Sequence, residues 1–389
     1  MARSPSVGRT VSTIPLRSRK RDFISIATTS NTSSCSSSSL QKNKAVKEKK
    51  TSFPANSVVA PTPSKFPVLT ALKKRILNNS NDHKVLLKYS NLVPARRLRR
   101  YKRFLADVVL LNEIKKDEGV EAVGEKKWVA EDDGSVELNA TEIATVYCPN
   151  TGPMVGLLEG LPNARVQLSK SSDPKRKYAY TLEMIQIHNG ERNVWVGVHL
   201  TFANRMVEHA LASRWLTELG HYDSVRREVK FAKNSRVDFV LTTNAKDGAI
   251  IHEQYVEVKS VTLAVDKLHK SSSRCAIFPD TISVRAQKHV TELADLLSAT
   301  AKVQGSQEKK TSTYKLSGTI ILLVQRDDCN EFAPSFQHDK KFAELCAVAA
   351  KSGIQLLAYA CALEPDKTRN NGVVRFLGSL PLYKASYHL

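Results

Sequence analysis

The chain has 389 residues and a hydrophobic fraction of 41%, enough for two domains with sizeable cores. No apolar run approaches the roughly 20 residues that a membrane-spanning helix needs, so we expect no membrane partner. The formal net charge is +21, from 59 Lys and Arg against 38 Asp and Glu. This excess favours a polyanionic partner, because each neutralised phosphate releases condensed counterions.

Residues 1–66 are predicted to form a disordered, basic, Ser-rich tail. They hold 12 Lys and Arg against 2 Asp and Glu and show no apolar periodicity. An Arg-rich, Ser-rich and acid-poor composition is typical of a transit peptide, which predicts import into a mitochondrion or plastid. A nuclear import patch at Arg17–Arg21 and plain disorder are the alternatives, and they leave the nucleus or cytoplasm open.

The next part of the chain combines a basic run with short strand patterns. Strands are expected at 104–111, 136–147, 164–169, 176–187 and 193–200, with the acidic stretch 117–137 as a loop. Together they predict an all-β domain over 84–200, a small OB-like β-barrel. Because aromatic residues interleave with the basic run, we predict that its rim binds DNA; a solvated strand edge is the alternative. The predicted DNA-binding residues here are Arg96, Arg97, Arg99, Arg100, Lys102, Arg103, Lys175, Arg176 and Lys177.

The pattern changes after residue 200 to alternating helices and strands. Asn204 is expected to cap a helix that runs to Gly220, and later helices are expected at 281–298 and 338–352. Strands are expected at 225–232, 235–242, 251–259, 319–325 and 354–361, and the polar inserts 266–274 and 304–316 are expected to be surface loops. This order predicts an α/β sandwich with a mixed central sheet over 201–389.

Two of these strands carry the pattern of a restriction-endonuclease-like metal site. Asp238 lies on one strand, and Glu257 and Lys259 lie on the next, on the same face because side chains alternate with period two. Pairing the strands brings the two carboxylates together, where Mg²⁺ or Mn²⁺ is the natural partner and the Val258 carbonyl is a further ligand. Lys259 would orient or deprotonate a water. A solvated strand face is the alternative interpretation.

Neighbouring helices offer further candidates. Glu208 is predicted as a third acidic ligand, and Gln287, Lys288 and His289 as contacts to a phosphate backbone. No histidine lies in a spacing such as HExxH, so we expect none to bind metal. The chain has no GxSxG, P-loop or GxGxxG motif, so no small organic cofactor is expected.

The longer motifs resemble the sugar fermentation stimulation protein (SfsA) family. The matching runs are YKRFLADV (101–108), CPNTGPM (148–154), DPKRKYAYTLE (173–183), ANRMVEHAL (203–211), RREVKFAKNSRVDFVL (226–241), YVEVKSVTL (255–263), FPDTISVRAQKHVTEL (278–293) and LLAY (356–359). The resemblance implies an N-terminal OB-like domain, a C-terminal restriction-endonuclease-like domain, and DNA binding linked in bacteria to sugar-utilisation genes. It also implies that the family's D…ExK residues fall on Asp238, Glu257 and Lys259.

The chain departs from the bacterial pattern at His199, in its three loop inserts and in its basic tail. The tail suggests a eukaryotic chain sent to an organelle. Three hypotheses follow: a divalent-metal-dependent DNA nuclease, a non-catalytic DNA-binding regulator on the same scaffold, and an organelle RNA-binding factor.

Overall fold

The computed structural model describes residues 84–113, 127–128, 138–158, 161, 163–232, 235–267, 270–305, 314–366 and 368–383. All of these lie in one compact unit. The predicted tail 1–66 lies outside the described residues, as do nearly all of the predicted loop 117–137 and most of the insert 304–316.

The N-terminal sheet has seven strands among the described residues. They are β2 (Leu92–Tyr101), β3 (Leu105–Glu113), β4 (Lys127–Trp128), β5 (Leu138–Tyr147), β6 (Arg165–Lys170), β7 (Tyr180–His188) and β8 (Asn193–Gly197), in the order β4-β5-β3-β2-β6-β7-β8. A further pairing of Tyr147 with Thr181 joins β5 to β7, so β5, β3, β2, β6 and β7 form a ring. Alternate residues such as Val166 and Leu168 fill its apolar core, as expected for strands with one buried face.

Strand β2 was not predicted, because its Arg-rich sequence hides the alternation of a strand. It pairs antiparallel with β3 on one side and with β6 on the other. Leu92, Ala95 and Arg97 are its most buried residues. The basic run is therefore an interior strand of the ring, and not the strand edge that was the alternative interpretation of the sequence.

The C-terminal sheet also has seven strands among the described residues. They are β1 (Val85–Tyr89), β9 (Ser224–Ala232), β10 (Ser235–Asn244), β11 (Ile250–Val261), β14 (Lys315–Val324), β16 (Gln355–Asp366) and β17 (Asn371–Leu380), in the order β1-β17-β16-β14-β11-β10-β9. The β11–β14 and β14–β16 pairs are parallel and the others antiparallel, so the sheet is mixed, as predicted. Strand β1 falls in the range 84–200 expected for the first domain, yet it forms the edge of this second sheet.

Helices cover both faces of the C-terminal sheet. Helix α1 (Leu200–Ala212) packs its buried face on one side, with Val256 and Val258 of β11 in the same core. Helices α2 (Val284–Gly305) and α3 (Lys340–Lys351) pack on the other side, against β14 and β16. No helix in the described ranges is long and apolar enough to cross a membrane.

Three local predictions were wrong. Helix α1 begins after His199, so Asn204 lies inside it instead of capping it; the helix ends at Ala212, and Arg214 follows with φ 57°. The second helix was expected to begin at residue 281, but Ile282 precedes α2 and is 69% exposed. The predicted loop 266–274 is largely part of two paired strands, β12 (Leu263–Lys267) and β13 (Lys270–Phe278), which form a three-stranded sheet with β15 (Cys329–Pro334).

Candidate metal centre and nucleic-acid surface

The structure brings Asp238, Glu257 and Lys259 together, as the strand pattern predicted. Strands β10 and β11 pair antiparallel up to Phe239 opposite Val256, one residue from Asp238 and Glu257. Asp238 Oδ2 accepts a hydrogen bond from the Val258 backbone N–H at 2.7 Å, which fixes this carboxylate beside β11.

Asn204 holds the other oxygen of Asp238. Its Nδ2 donates to Asp238 Oδ1 at 2.7 Å. Since Asn204 lies on α1, this bond ties the helix to the strand that carries the carboxylate. Sequence reasoning missed this role because it treated Asn204 as a helix cap, and only the tertiary packing places its amide on Asp238.

Glu257 is bound on a single oxygen by two nitrogen groups. Lys259 Nζ donates to Glu257 Oε1 at 2.5 Å, and His289 Nδ1 of α2 hydrogen-bonds with the same oxygen. The Glu257 side chain is 7% exposed, and those of Lys259 and His289 are each 11% exposed. The sequence predicted His289 as a phosphate contact and not as part of the metal centre, because no metal spacing includes it. A histidine that contacts a carboxylate needs no such spacing.

The pKa values of the two carboxylates are shifted in opposite directions. Burial, reinforced by the nearby Glu257 charge, raises the pKa of Asp238 to about 6. Burial also acts to raise the pKa of Glu257, but Lys259 and His289 together outweigh it, and the net pKa of Glu257 is lowered. Negative charge on Glu257 is therefore well balanced, while negative charge on Asp238 is not.

Glu208 does not join this pair. Its carboxylate forms an ion pair with Arg227 Nη1 of β9 at 2.8 Å, and its side chain is 37% exposed. Asn204, one helical turn earlier on α1, is the residue that contacts Asp238.

Gln287 and Lys288 lie in different environments. Gln287 is buried, and its Nε2 donates to Asp339 Oδ1 at 2.8 Å. Asp339 also caps α3 by accepting from the Phe342 N–H, so Gln287 joins two helices instead of facing a ligand. Lys288 is half exposed and lies 3.6 Å from Glu292 on its own helix.

Several basic residues of β2 hold the protein's own backbone. Arg97 is 4% exposed, and its guanidinium donates to the Leu161 carbonyl. Arg96 Nη1 donates to the Asn163 carbonyl at 2.9 Å. Arg100 donates to four carbonyls, of which three belong to the loop 150–153. The guanidinium groups of Arg97 and Arg100 therefore hold the protein's own loops in place and are less available to a ligand.

Other predicted basic residues are exposed. The Arg99 side chain is 75% exposed, pairs with Asp107 at 2.8 Å and lies 5.3 Å from the centre of the Tyr101 ring. Lys102 and Arg103 are exposed in the β2–β3 turn, both with positive φ.

The second basic group lies in the turn before β7. Lys175, Arg176 and Lys177 are all exposed there. Arg176 Nη2 also donates to Thr181 Oγ1 at 2.7 Å.

A cleft of about 650 Å³ opens over the carboxylate pair, with Asp238, Glu257 and Lys259 in its wall. A second cleft of about 750 Å³ is lined by Arg97, Arg99, Arg100, Tyr101 and Arg103. We call them the site cleft and the arginine cleft. Among the described residues, no cluster of three or more His, Cys, Asp or Glu side chains forms a metal-binding group.

Comparison with known proteins covers both parts of the chain. Residues 98–198 match the SfsA N-terminal OB domain, and residues 201–305 and 308–367 match the sugar fermentation stimulation protein RE domain.

Curated relatives and a solved structure agree with these matches. The sugar fermentation stimulation protein homolog of Acaryochloris marina is 35% identical over 74% of this chain and 94% of its own length. The homolog of Nostoc punctiforme is 36% identical over 75% of this chain and 97% of its own length. The structure of Pyrococcus furiosus SfsA in complex with Ca²⁺ has the same fold, with a TM-score of 0.53 at 20% identity over 77% of this chain and 99% of that one. The chain belongs to the sugar fermentation stimulation protein (SfsA) family.

Proposed function

We propose that this protein binds DNA and cleaves its phosphodiester backbone at a restriction-endonuclease-like site that uses Mg²⁺ or Mn²⁺. The observation that carries the proposal is the meeting of Asp238 and Glu257 beside Lys259 in the wall of an open cleft. Two buried carboxylates whose charges act on each other are costly unless they share a cation or a proton.

The donor set suits a hard divalent cation. Asp238, Glu257 and the Val258 carbonyl would hold it, and Mg²⁺ commonly takes one or two carboxylates and completes its shell with water. Burial and, after it, the Glu257 charge raise the pKa of Asp238, and a bound cation would offset the cost of ionising this carboxylate. The relative from Pyrococcus furiosus was solved with Ca²⁺, another cation that prefers oxygen ligands. When bound, the ion would supply charge neutralisation at the phosphate and a more acidic water.

The chain's own residues orient this site. Asn204 and the Val258 N–H fix both oxygens of Asp238. Lys259 Nζ and His289 occupy Oε1 of Glu257, and this fixes the rotation of the carboxylate. The Lys259 ammonium lines the cleft, where it would orient a water or donate to a phosphate oxygen.

The exposed basic side chains would hold the DNA backbone. Arg99, Lys102 and Arg103 extend from the β2–β3 turn and its flanking strand, and Lys175 and Lys177 from the turn before β7. Guanidinium and ammonium groups bind phosphates without reading sequence, so this surface predicts salt-sensitive binding with little base specificity.

The test is cleavage of supercoiled plasmid with Mg²⁺ or Mn²⁺. We expect nicking by the wild-type protein and a loss of at least about a hundredfold in Asp238→Asn and Lys259→Ala. Glu208→Gln is the matched control, since the Glu208 side chain pairs with Arg227 and does not itself line the site cleft, and it should retain activity. Cleavage that persists in Asp238→Asn, or no cleavage by the wild type, would contradict the nuclease proposal.

A non-catalytic DNA-binding protein is the second candidate. It is favoured by the network in which Lys259 and His289 already neutralise Glu257. It predicts DNA binding in excess chelator that is unchanged in Glu257→Gln. Loss of binding on chelation would contradict it.

A further inference from the structure

The site cleft and the arginine cleft share two walls. Thr151 and Gly152 line both clefts on one side, and Thr281 and Ile282 line both on the other. A ligand bound along the arginines can therefore continue to Asp238 without leaving the protein surface.

The junction of the two clefts carries a bare apolar side chain. Ile282, which lines both clefts, is 69% exposed, although it lies beside a strongly polar site. Single exposed aliphatic residues are common, but one that lines two clefts between arginines and carboxylates is placed to touch a ligand.

The backbone that presents Ile282 is held in place. The Ser283 N–H donates to Asp339 Oδ2 at 2.9 Å, and Gln287 donates to Asp339 Oδ1 from the first turns of α2. On the other side of the segment, the Ser335 N–H donates to the Phe278 carbonyl at 2.8 Å. Ile282 is therefore held in position before any ligand binds.

The arginine cleft offers both phosphate and base contacts. The Arg99 guanidinium is exposed, and the Tyr101 ring lies beside it in the same cleft. Alternating cations and flat or apolar surfaces suit a strand whose bases are unpaired, because phosphates and bare base faces are then presented together. Clefts of several hundred Å³ are of the size that encloses a small organic ligand, which matches single nucleotides rather than a continuous duplex.

We propose that the substrate is single-stranded DNA, or an unpaired DNA end, which runs from the arginine cleft over Ile282 to Asp238 and Glu257. Ile282 contacts an unstacked base at the junction and so aligns the adjoining phosphate with the carboxylates. This inference rests on the proposed function for its cleavage chemistry, but the strand path itself concerns binding.

The test is fluorescence anisotropy of the full chain with labelled oligonucleotides in excess chelator. The probes are a single DNA strand, the same strand in a duplex, and the matching RNA strand. We expect the single DNA strand to bind at least about tenfold more tightly than the duplex, and Ile282→Ser to weaken it roughly fivefold. Ile282→Leu should restore binding, because an aliphatic side chain of the same size replaces the original.

Ile143→Ser is the matched control. Ile143 is 68% exposed on β5 and lines neither cleft, so its substitution should leave binding unchanged. Arg99→Ala should weaken binding and lower the slope of log affinity against log salt by about one.

Three results would overturn the inference: equal affinity for strand and duplex, unchanged binding in Ile282→Ser, or tighter binding of RNA. A clear strand preference without any metal-dependent cleavage would contradict the nuclease proposal and leave the strand path standing. Metal-dependent cleavage without any preference for the single strand would contradict the strand path and support the nuclease proposal.

Discussion

Glu183 is a buried carboxylate whose charge should make the stability of the fold depend on pH. It lies on β7 and is 2% exposed. Ser169 Oγ donates to its Oε1 at 2.6 Å, while its Oε2 has no hydrogen-bond partner among the described residues. Burial raises the pKa of Glu183 to about 7, although the Ser169 bond, Arg176 and Arg205 act to lower it.

The sign and size of the effect follow from this shift. A folded-state pKa near 7, against an ordinary value of 4.5, means that the protonated form favours folding. Its contribution is complete below about pH 4.5 and is lost as the pH rises through 7. The difference between a pKa of about 7 in the folded state and 4.5 in the unfolded state corresponds to about 3 kcal/mol. The wild type should therefore lose roughly 2–3 kcal/mol of unfolding free energy between about pH 5 and pH 8 through this group. Glu183→Gln cannot ionise and should not show this loss, so the difference between variant and wild type should change by the same amount.

The measurement is urea unfolding at both pH values for wild type, Glu183→Gln and Glu191→Gln. Glu191 is exposed in the β7–β8 turn and serves as the matched control. The comparison uses only the change in unfolding free energy between the two pH values. Any cost of burying the amide in Glu183→Gln is the same at both pH values and therefore cancels. A Glu183→Gln difference that is the same at both pH values would refute the reasoning.

Three further predictions concern the site and its supports. Mn²⁺ should raise the Tm of the wild type at about pH 8, and this effect should be lost towards pH 5. The reason is that protonation of Asp238, whose pKa is about 6, competes with the cation. Asp238→Asn should show no change in Tm with Mn²⁺, and a full increase in that variant would contradict the proposed site. Arg100→Ala should cost about 2 kcal/mol in urea unfolding because it strands several loop carbonyls, whereas the neighbouring exposed Lys102→Ala should cost almost nothing. Gly318→Ala should cost about 1–3 kcal/mol, since the new Cβ would lie 3.1 Å from Leu293 Cγ; a neutral result would mean that α2 shifts freely.

The approach of Asp238, Glu257 and Lys259 to one another could be predicted because it depends on local periodicity. Asp238 lies on one strand, and Glu257 and Lys259 lie two residues apart on the next, with a turn between the strands. Alternation and hairpin pairing are sufficient to bring these side chains together. The parallel centre of the sheet was also predictable, since one helix separates β11 from β14 along the chain and another separates β14 from β16.

The roles of the arginines could not be predicted from charge alone. Arg97 bonds to a carbonyl 64 residues away, and Arg100 bonds to carbonyls about 50 residues away. Such partners are set by how β2 lies in the ring, and the sequence shows only a basic run. Gln287 was misassigned for the same reason, because Asp339 is 52 residues distant.

The placement of Glu208 shows how the fold limits the charge at the site. A third carboxylate beside Asp238 and Glu257 would raise the pKa of Asp238 further and make the site still more costly without a cation. Arg227 instead holds Glu208 away, and the neutral amide of Asn204 occupies the position next to Asp238. With Glu257 neutralised by Lys259 and His289, the uncompensated charge is concentrated on Asp238. A divalent cation would therefore gain most from Asp238, and for this reason substitution of Asp238 should weaken cation binding more than substitution of Glu257.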